Sequence, residues 1–193
     1  MFCQMAGNKF FLQYVLKFIL FFCMLYYGTL AIIGLASPGG YYSAFVCNYI
    51  NYISWLRWLI LHLSKALLTF FGYKIFVIDP YIIKMQGGLG VHLVYSCIGY
   101  GVMSFWAAFV LANRGSWRKK AIWIIGGVSL IFCINVLRIS LFLIAINKKW
   151  TNILNLDNHS LFNIAAYILI FVLIFLFDKS EKKTTINTTQ SSI

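Results

Sequence analysis

From Phe10 to Ala36 the chain carries one charge, Lys17, and then stops at Ser37-Pro38-Gly39-Gly40. Crossing the hydrocarbon core of a bilayer takes about 20 predominantly apolar residues at ~1.5 Å rise each, and this run exceeds that. It is too long, and too poor in a small-residue cleavage site, for a secretory signal, so it is expected to persist as a helix. Three further apolar runs cover about 96–112, 121–146 and 160–177. The whole chain of 193 residues is 62% hydrophobic and 10% charged, against roughly 45–50% and 25% in soluble domains. The expectation is a single integral membrane domain over 1–193, an all-α polytopic protein with about four transmembrane helices.

Residues 37–95 are apolar in a different way. Tyr52 to Phe71 include Arg57, His62 and Lys65, and a central Arg or Lys costs about 2.5–3.5 kcal/mol in a spanning helix. Ser54, Arg57, Lys65 and Thr69 fall near one helical face with Trp55 and Trp58 beside it, which predicts an amphipathic helix in the headgroup region. Tyr73 to Ile78 and Tyr81 to Met85 read as extended, broken at Asp79-Pro80, and Gln86-Gly87-Gly88-Leu89-Gly90 reads as a turn; together they predict a short hairpin. Sixteen Lys and Arg against four Asp and Glu give +12, but most basic residues border apolar runs, where positive-inside sorting puts them. The charge is therefore not that of a nucleic-acid binder. Arg114, Arg118, Lys119 and Lys120 crowd the connection over 113–120 without an acid. That connection, the N-terminus with Lys9 and the tail over 178–193 with Lys179, Lys182 and Lys183 are expected to be cytoplasmic. Segment 37–95 and the loop 147–159 are expected outside a multi-pass cell inner (cytoplasmic) membrane.

That topology brings three reactive side chains to one leaflet: Cys97 at the outer start of the second span, Arg138 in the outer third of the third, and His159 at the outer start of the fourth. Each has a plain alternative. A lone cysteine at an apolar helix start is usually packing, as Cys3, Cys23 and Cys133 are read. His159 alone reads as a wet loop residue. Arg138, inside the apolar run Ile131 to Ile146, is either functional, snorkelling to the interface, or paired with Asp157. Taken together the trio fits acyl transfer by a thiolate. A thiol near pKa ~8.5 needs a neighbouring cation or base. His159 can take its proton and return it to a leaving amine, and Arg138 can stabilise an oxyanion shielded from water. Asn135, three residues before Arg138 on one face, is a candidate to orient it or donate to the oxyanion; Asn163, one turn beyond His159, is a candidate to fix its ring. No metal or other cofactor is implied, since five cysteines occur without CxxC or Cys/His ligand spacing.

Cys97 in a Cys-x-Gly context after an extended stretch, Asn135-x-x-Arg138 in the next span and His159 opening the last resemble the exosortase/archaeosortase family of membrane cysteine transpeptidases. The resemblance covers roughly 67–177, including Leu67-Leu68-x-x-x-Gly72. It implies Cys97 as nucleophile, with Arg138 and His159 completing a triad. It also implies exported protein substrates bearing a C-terminal motif, a transmembrane helix and a basic tail, cleaved at the outer start of that helix. Two features depart from the family: Cys97-Ile98-Gly99 replaces its common Cys-Ser/Ala-Gly, and the chain has fewer spans than many members. Two other classes compete. A thiol-redox protein would use Cys47 and Cys97, although it would need a redox-active pair and normally a resolving pair and no CxxC occurs, and a non-enzymatic membrane subunit or carrier would use Arg138 as an anion site.

Overall fold

The computed structural model describes residues 2–37, 41–148, 164 and 167–180, with side chains from Lys9 onward. It divides into two compact units, one up to Thr151 and one from Asn152. In the first unit, helix α1 (Phe2–Ala36) is followed by a short π-helical turn over Val46–Ile50 and helix α2 (Tyr52–Phe70). Strands β1 (Ile75–Asp79), β2 (Ile82–Met85) and β3 (Gly90–His92) come next. A 3-10 turn over Tyr95–Ile98 then leads to helices α3 (Tyr100–Ala112) and α4 (Trp117–Asn147). In the second unit, residues 167–180 are helical.

Among the described residues two helices are long and apolar enough to cross a membrane, Lys9–Ala36 and Trp117–Asn147. Only 6% of the most apolar window of the first is buried within the protein, and Phe11, Leu16, Leu20, Met24 and Tyr27 project outward from it. A helix apolar on its exposed sides is at home in lipid, not water. Its packed side meets α3 through rings: Phe18 on Phe105 with centroids 5.3 Å apart, and Tyr26 on Tyr100 at 5.6 Å. Close approach of α3 and α4 depends on Gly127, where a Cβ would run into the Trp106 indole. That indole is fully buried and donates to the Trp123 carbonyl at 3.0 Å. Small residues at such crossings let helices gain dispersion contacts where no hydrophobic driving force separates helix from lipid.

At one end of this bundle Arg114 lies over the Phe10 ring, 4.5 Å from its centroid, so the start of the first apolar helix and the basic α3–α4 connection share that end. The opposite end is capped by α2 and the sheet. Tyr52, at the start of α2, shares a hydrogen bond with Thr29 of α1, and Ser64 of α2 donates to the Val136 carbonyl of α4 at 3.3 Å. Thr29 lies about 30 Å along its helix from Lys9 and Val136 about 22 Å along α4 from Ala121, so α2 bridges the two long helices in their far parts. The antiparallel sheet runs in the order β1-β2-β3. It is clasped to the end of α4 by Asn147, whose amide accepts from Leu89 N–H at 2.7 Å and donates to Leu89 C=O at 3.2 Å. The core beneath the cap joins Ile53, Ile60, Leu61 and Leu68 of α2 to Ile75, Ile83 and Val91 of the sheet and to Val136, Ile139 and Leu143 of α4.

Several expectations change. The predicted hairpin is a three-stranded sheet, because Gly90–His92, of which the expected turn takes in only Gly90, pairs with β2; the fold is mostly helical rather than all-α. The run over 96–112 yields a helix of 13 residues, about 20 Å long, which by itself falls short of a ~30 Å hydrocarbon core. Its first residues are spent on the 3-10 turn. The basic connection is 113–116, since α4 already begins at Trp117. Arg57 does not share the outer face with Ser54, Lys65 and Thr69: these three are exposed and Arg57 is buried. The helical period that groups Ile53, Ile60, Leu61, Ser64 and Leu68 puts Arg57 in their midst. For the run 160–177, the described helix covers its later part and extends to 180.

Candidate functional site

Cys97 stands on the 3-10 turn that ends the cap and opens α3. Its N–H donates to the Val94 carbonyl at 3.0 Å, and its side chain is a half-buried free thiol against the core. The turn closes at Gly99, which caps α3 with φ of 80° and accepts from Met103 N–H at 3.0 Å. A residue with a Cβ pays about 1–2 kcal/mol in that left-handed conformation, and here its Cβ would also run into the Asn135 amide. Glycine at the third position of Cys97-Ile98-Gly99 thus has two independent physical reasons. Ile98 between them is fully buried in the core, so this position holds a packing side chain.

Asn135 is buried on α4, and its Nδ2 donates to the Ile98 carbonyl at 2.8 Å. Its Nδ2 therefore serves the cysteine-bearing turn. Arg138 is half-buried on the same helix three residues further on, a spacing that makes side chains neighbours on one face. One hydrogen bond thus fastens the Cys97 turn to α4 a single helical turn from Arg138. The bond lies about 21 Å along α4 from Ala121, a distance shorter than the ~30 Å thickness of a hydrocarbon core. His159, Asn163 and Asp157 lie outside the described residues.

Cys47, in the π-helical turn, is also a free thiol. Its hydrogen bond and charge, with a smaller contribution from burial, push the exposed Tyr42 phenol above its ordinary pKa.

The residue that the sequence reading misplaced is the most unusual in the cap. Arg57 is 3% exposed, its guanidinium carbon 4.3 Å from the Tyr81 ring centroid and 4.1 Å from that of Tyr95. Such a stack supplies cation–π attraction but no hydrogen bonds, and Nε and Nη2 make none with the described residues. The signal for it was present in the sequence: Arg57 falls in the middle of the apolar stripe of α2, where a cation needs a partner. Tyr95 is two residues before Cys97, so the stack and the thiol share one short turn.

Comparison with family profiles, with curated proteins and with solved structures finds no match.

Proposed function

We propose that this chain is a membrane-embedded cysteine peptidase or transpeptidase of the exosortase type, cleaving C-terminal sorting signals of exported proteins at the outer face of a cell membrane. The observation that supports this best is the Asn135–Ile98 hydrogen bond. It ties the turn bearing the candidate nucleophile to the helix bearing the candidate oxyanion-stabilising cation, two segments about forty residues apart in sequence. In the proposed topology four spans have both ends inside, the basic 113–120 segment is cytoplasmic, and α2 and the sheet form the outer cap.

In the reaction the Cys97 proton passes to His159, and the thiolate attacks the scissile carbonyl. Arg138 stabilises the resulting oxyanion in a site of low dielectric. Collapse breaks the C–N bond, the amine leaves with the proton from His159, and a thioester remains on Cys97. Water or an acceptor amine then attacks the thioester and restores the thiol. Asn135 acts as a positioning residue that holds the turn.

The experiment is co-expression with an exported protein ending in a short polar motif, an apolar span and a basic tail, followed by recovery of the covalent adduct by mass spectrometry. A thioester on Cys97 is the expected result. Processing that continues in Cys97→Ala removes the proposal.

A further inference from the structure

The hydrogen-bond alternation of the sheet shows which backbone groups of β3 are free. Leu93 N–H donates to the Tyr81 carbonyl at 2.7 Å and Met85 N–H to the Leu89 carbonyl at 3.4 Å, and Ile83 lies opposite Val91. Antiparallel partners alternate between bonded and non-bonded pairs, so the bonded pairs are Tyr81–Leu93, Ile83–Val91 and Met85–Leu89. Gly90 and His92 take the positions between, and their N–H and C=O groups point away from β2. Both residues are exposed, and no hydrogen bond to a described residue takes up these groups. The other edge of the sheet is blunted: β1 has a bulge between Val77 and Asp79 and is followed by Pro80, two devices that discourage further pairing. From Gly90 to Val94 there is neither bulge nor proline.

This open edge runs straight into the candidate nucleophile's turn. Val94 keeps the backbone extended, with φ of −76° and ψ of 159°, and its carbonyl accepts from Cys97 N–H at 3.0 Å. Alternate residues of a strand share a face, and His92 and Val94 both line a cavity of about 360 Å³ together with Ser37, Cys47, Asn51 and Ser54. The cavity therefore opens on one face of β3, with hydroxyl and amide groups to meet a polar side chain.

We infer that the β3 edge is the rail on which the substrate lies: the extended segment just before its membrane helix adds as a fourth strand, bonded through its backbone to Gly90 and His92, and sends alternate side chains toward the cavity. The inference rests on the peptidase reading and names how that site takes hold of its polypeptide. Strand addition draws affinity from main-chain hydrogen bonds and specificity from pockets for alternate side chains. It also holds the substrate backbone extended where the strand meets the Cys97 turn, and this continuity favours a substrate segment over a second copy of the chain as the occupant.

The test compares the rate of thioester formation on Cys97 in the parent, His92→Thr and His92→Pro, each full-length and co-expressed with the substrate described above. Both variants lose the imidazole, which stacks on Tyr81 with centroids 5.9 Å apart, but only proline loses the outward N–H. Proline is tolerated at an edge position whose N–H faces away from the sheet. His92→Pro should therefore form the thioester about tenfold or more slowly than His92→Thr, the scale of a lost hydrogen bond, and equal rates overturn the inference. A second measurement needs no proline. Cys97→Ala combined with His92→Cys is co-expressed with substrates carrying single cysteines at successive positions before the membrane helix, and disulfides to position 92 are mapped by peptide mass spectrometry. Linkage at alternate positions only is expected, because every second residue of a paired strand faces the same side. Linkage with a helical period, at all positions alike, at none, or between two copies of the chain in place of the substrate overturns the inference while a parent thioester leaves the peptidase reading standing. A parent that forms no thioester ends both.

Discussion

Gly99→Ala offers the sharpest quantitative test, because two costs at this position can be separated. The backbone there has φ of 80°, which charges any residue with a Cβ about 1–2 kcal/mol. The new methyl group would also run into the Asn135 amide and break its bond to the buried Ile98 carbonyl. A buried acceptor left without its donor costs about 1–3 kcal/mol, so the two terms together give about 2–5 kcal/mol. In an Asn135→Ala background the amide is gone and the bond is already lost. Gly99→Ala should then cost only the backbone term, about 1–2 kcal/mol, which leaves a coupling of about 1–3 kcal/mol between the two positions. Equilibrium unfolding of the four proteins in mixed micelles of rising SDS content measures the cycle. The rate of Cys97 alkylation in the folded proteins reports independently whether the turn has moved. If Gly99→Ala costs the same with and without Asn135, the bond does not hold the turn, and the structural link between Cys97 and Arg138 is refuted.

Cys97→Ala should abolish substrate processing with nearly unchanged abundance, while Cys23→Ala and Cys133→Ala leave processing intact; equal loss in all three, read by immunoblot of the substrate, would mean packing and not chemistry. Arg138→Lys keeps the charge and can snorkel but loses the planar fork. It should insert and accumulate normally yet process at least about tenfold more slowly, on the scale of a lost oxyanion donor, and a parent rate in a pulse-chase would remove Arg138 from the mechanism. Ser116→Cys, in the basic connection, should resist an impermeant thiol reagent in intact cells and react after permeabilisation; reaction in intact cells would invert the proposed topology. Ile98→Ala should cost about 2–5 kcal/mol in the same SDS titration because its fully buried side chain leaves a cavity, and a cost near zero would show that the turn collapses freely.

Much of the helical frame can be read from local pattern alone. The unbroken apolar runs of α1 and α4 and the amphipathic period of α2 are properties of adjacent residues, so solvent preference and helical geometry suffice to place them within a few positions, except that α1 begins at Phe2, eight residues before its apolar run. Asp79-Pro80 likewise announces the turn between β1 and β2. The failures have a common cause. Gly90–His92 has neither length nor alternation enough to declare itself a strand, and becomes one because β2 offers it a ladder. The span expected from Ser96 gives up its first residues to a 3-10 turn, since Gly99 caps α3 in a conformation compensated by contact with α4, some 36 residues away. Arg57 was assigned outward on its chemistry. Tyr81 and Tyr95, distant in sequence, build the aromatic slot that lets a guanidinium lie inside. For the candidate site, residue types and order are legible in the sequence: a thiol before a glycine, then Asn135 and Arg138 at helical spacing. That Asn135 spends its amide on the Cys97 turn, and so fastens that turn to the helix carrying Arg138, was decided only by tertiary structure, because a single long-range hydrogen bond leaves no periodicity in the chain.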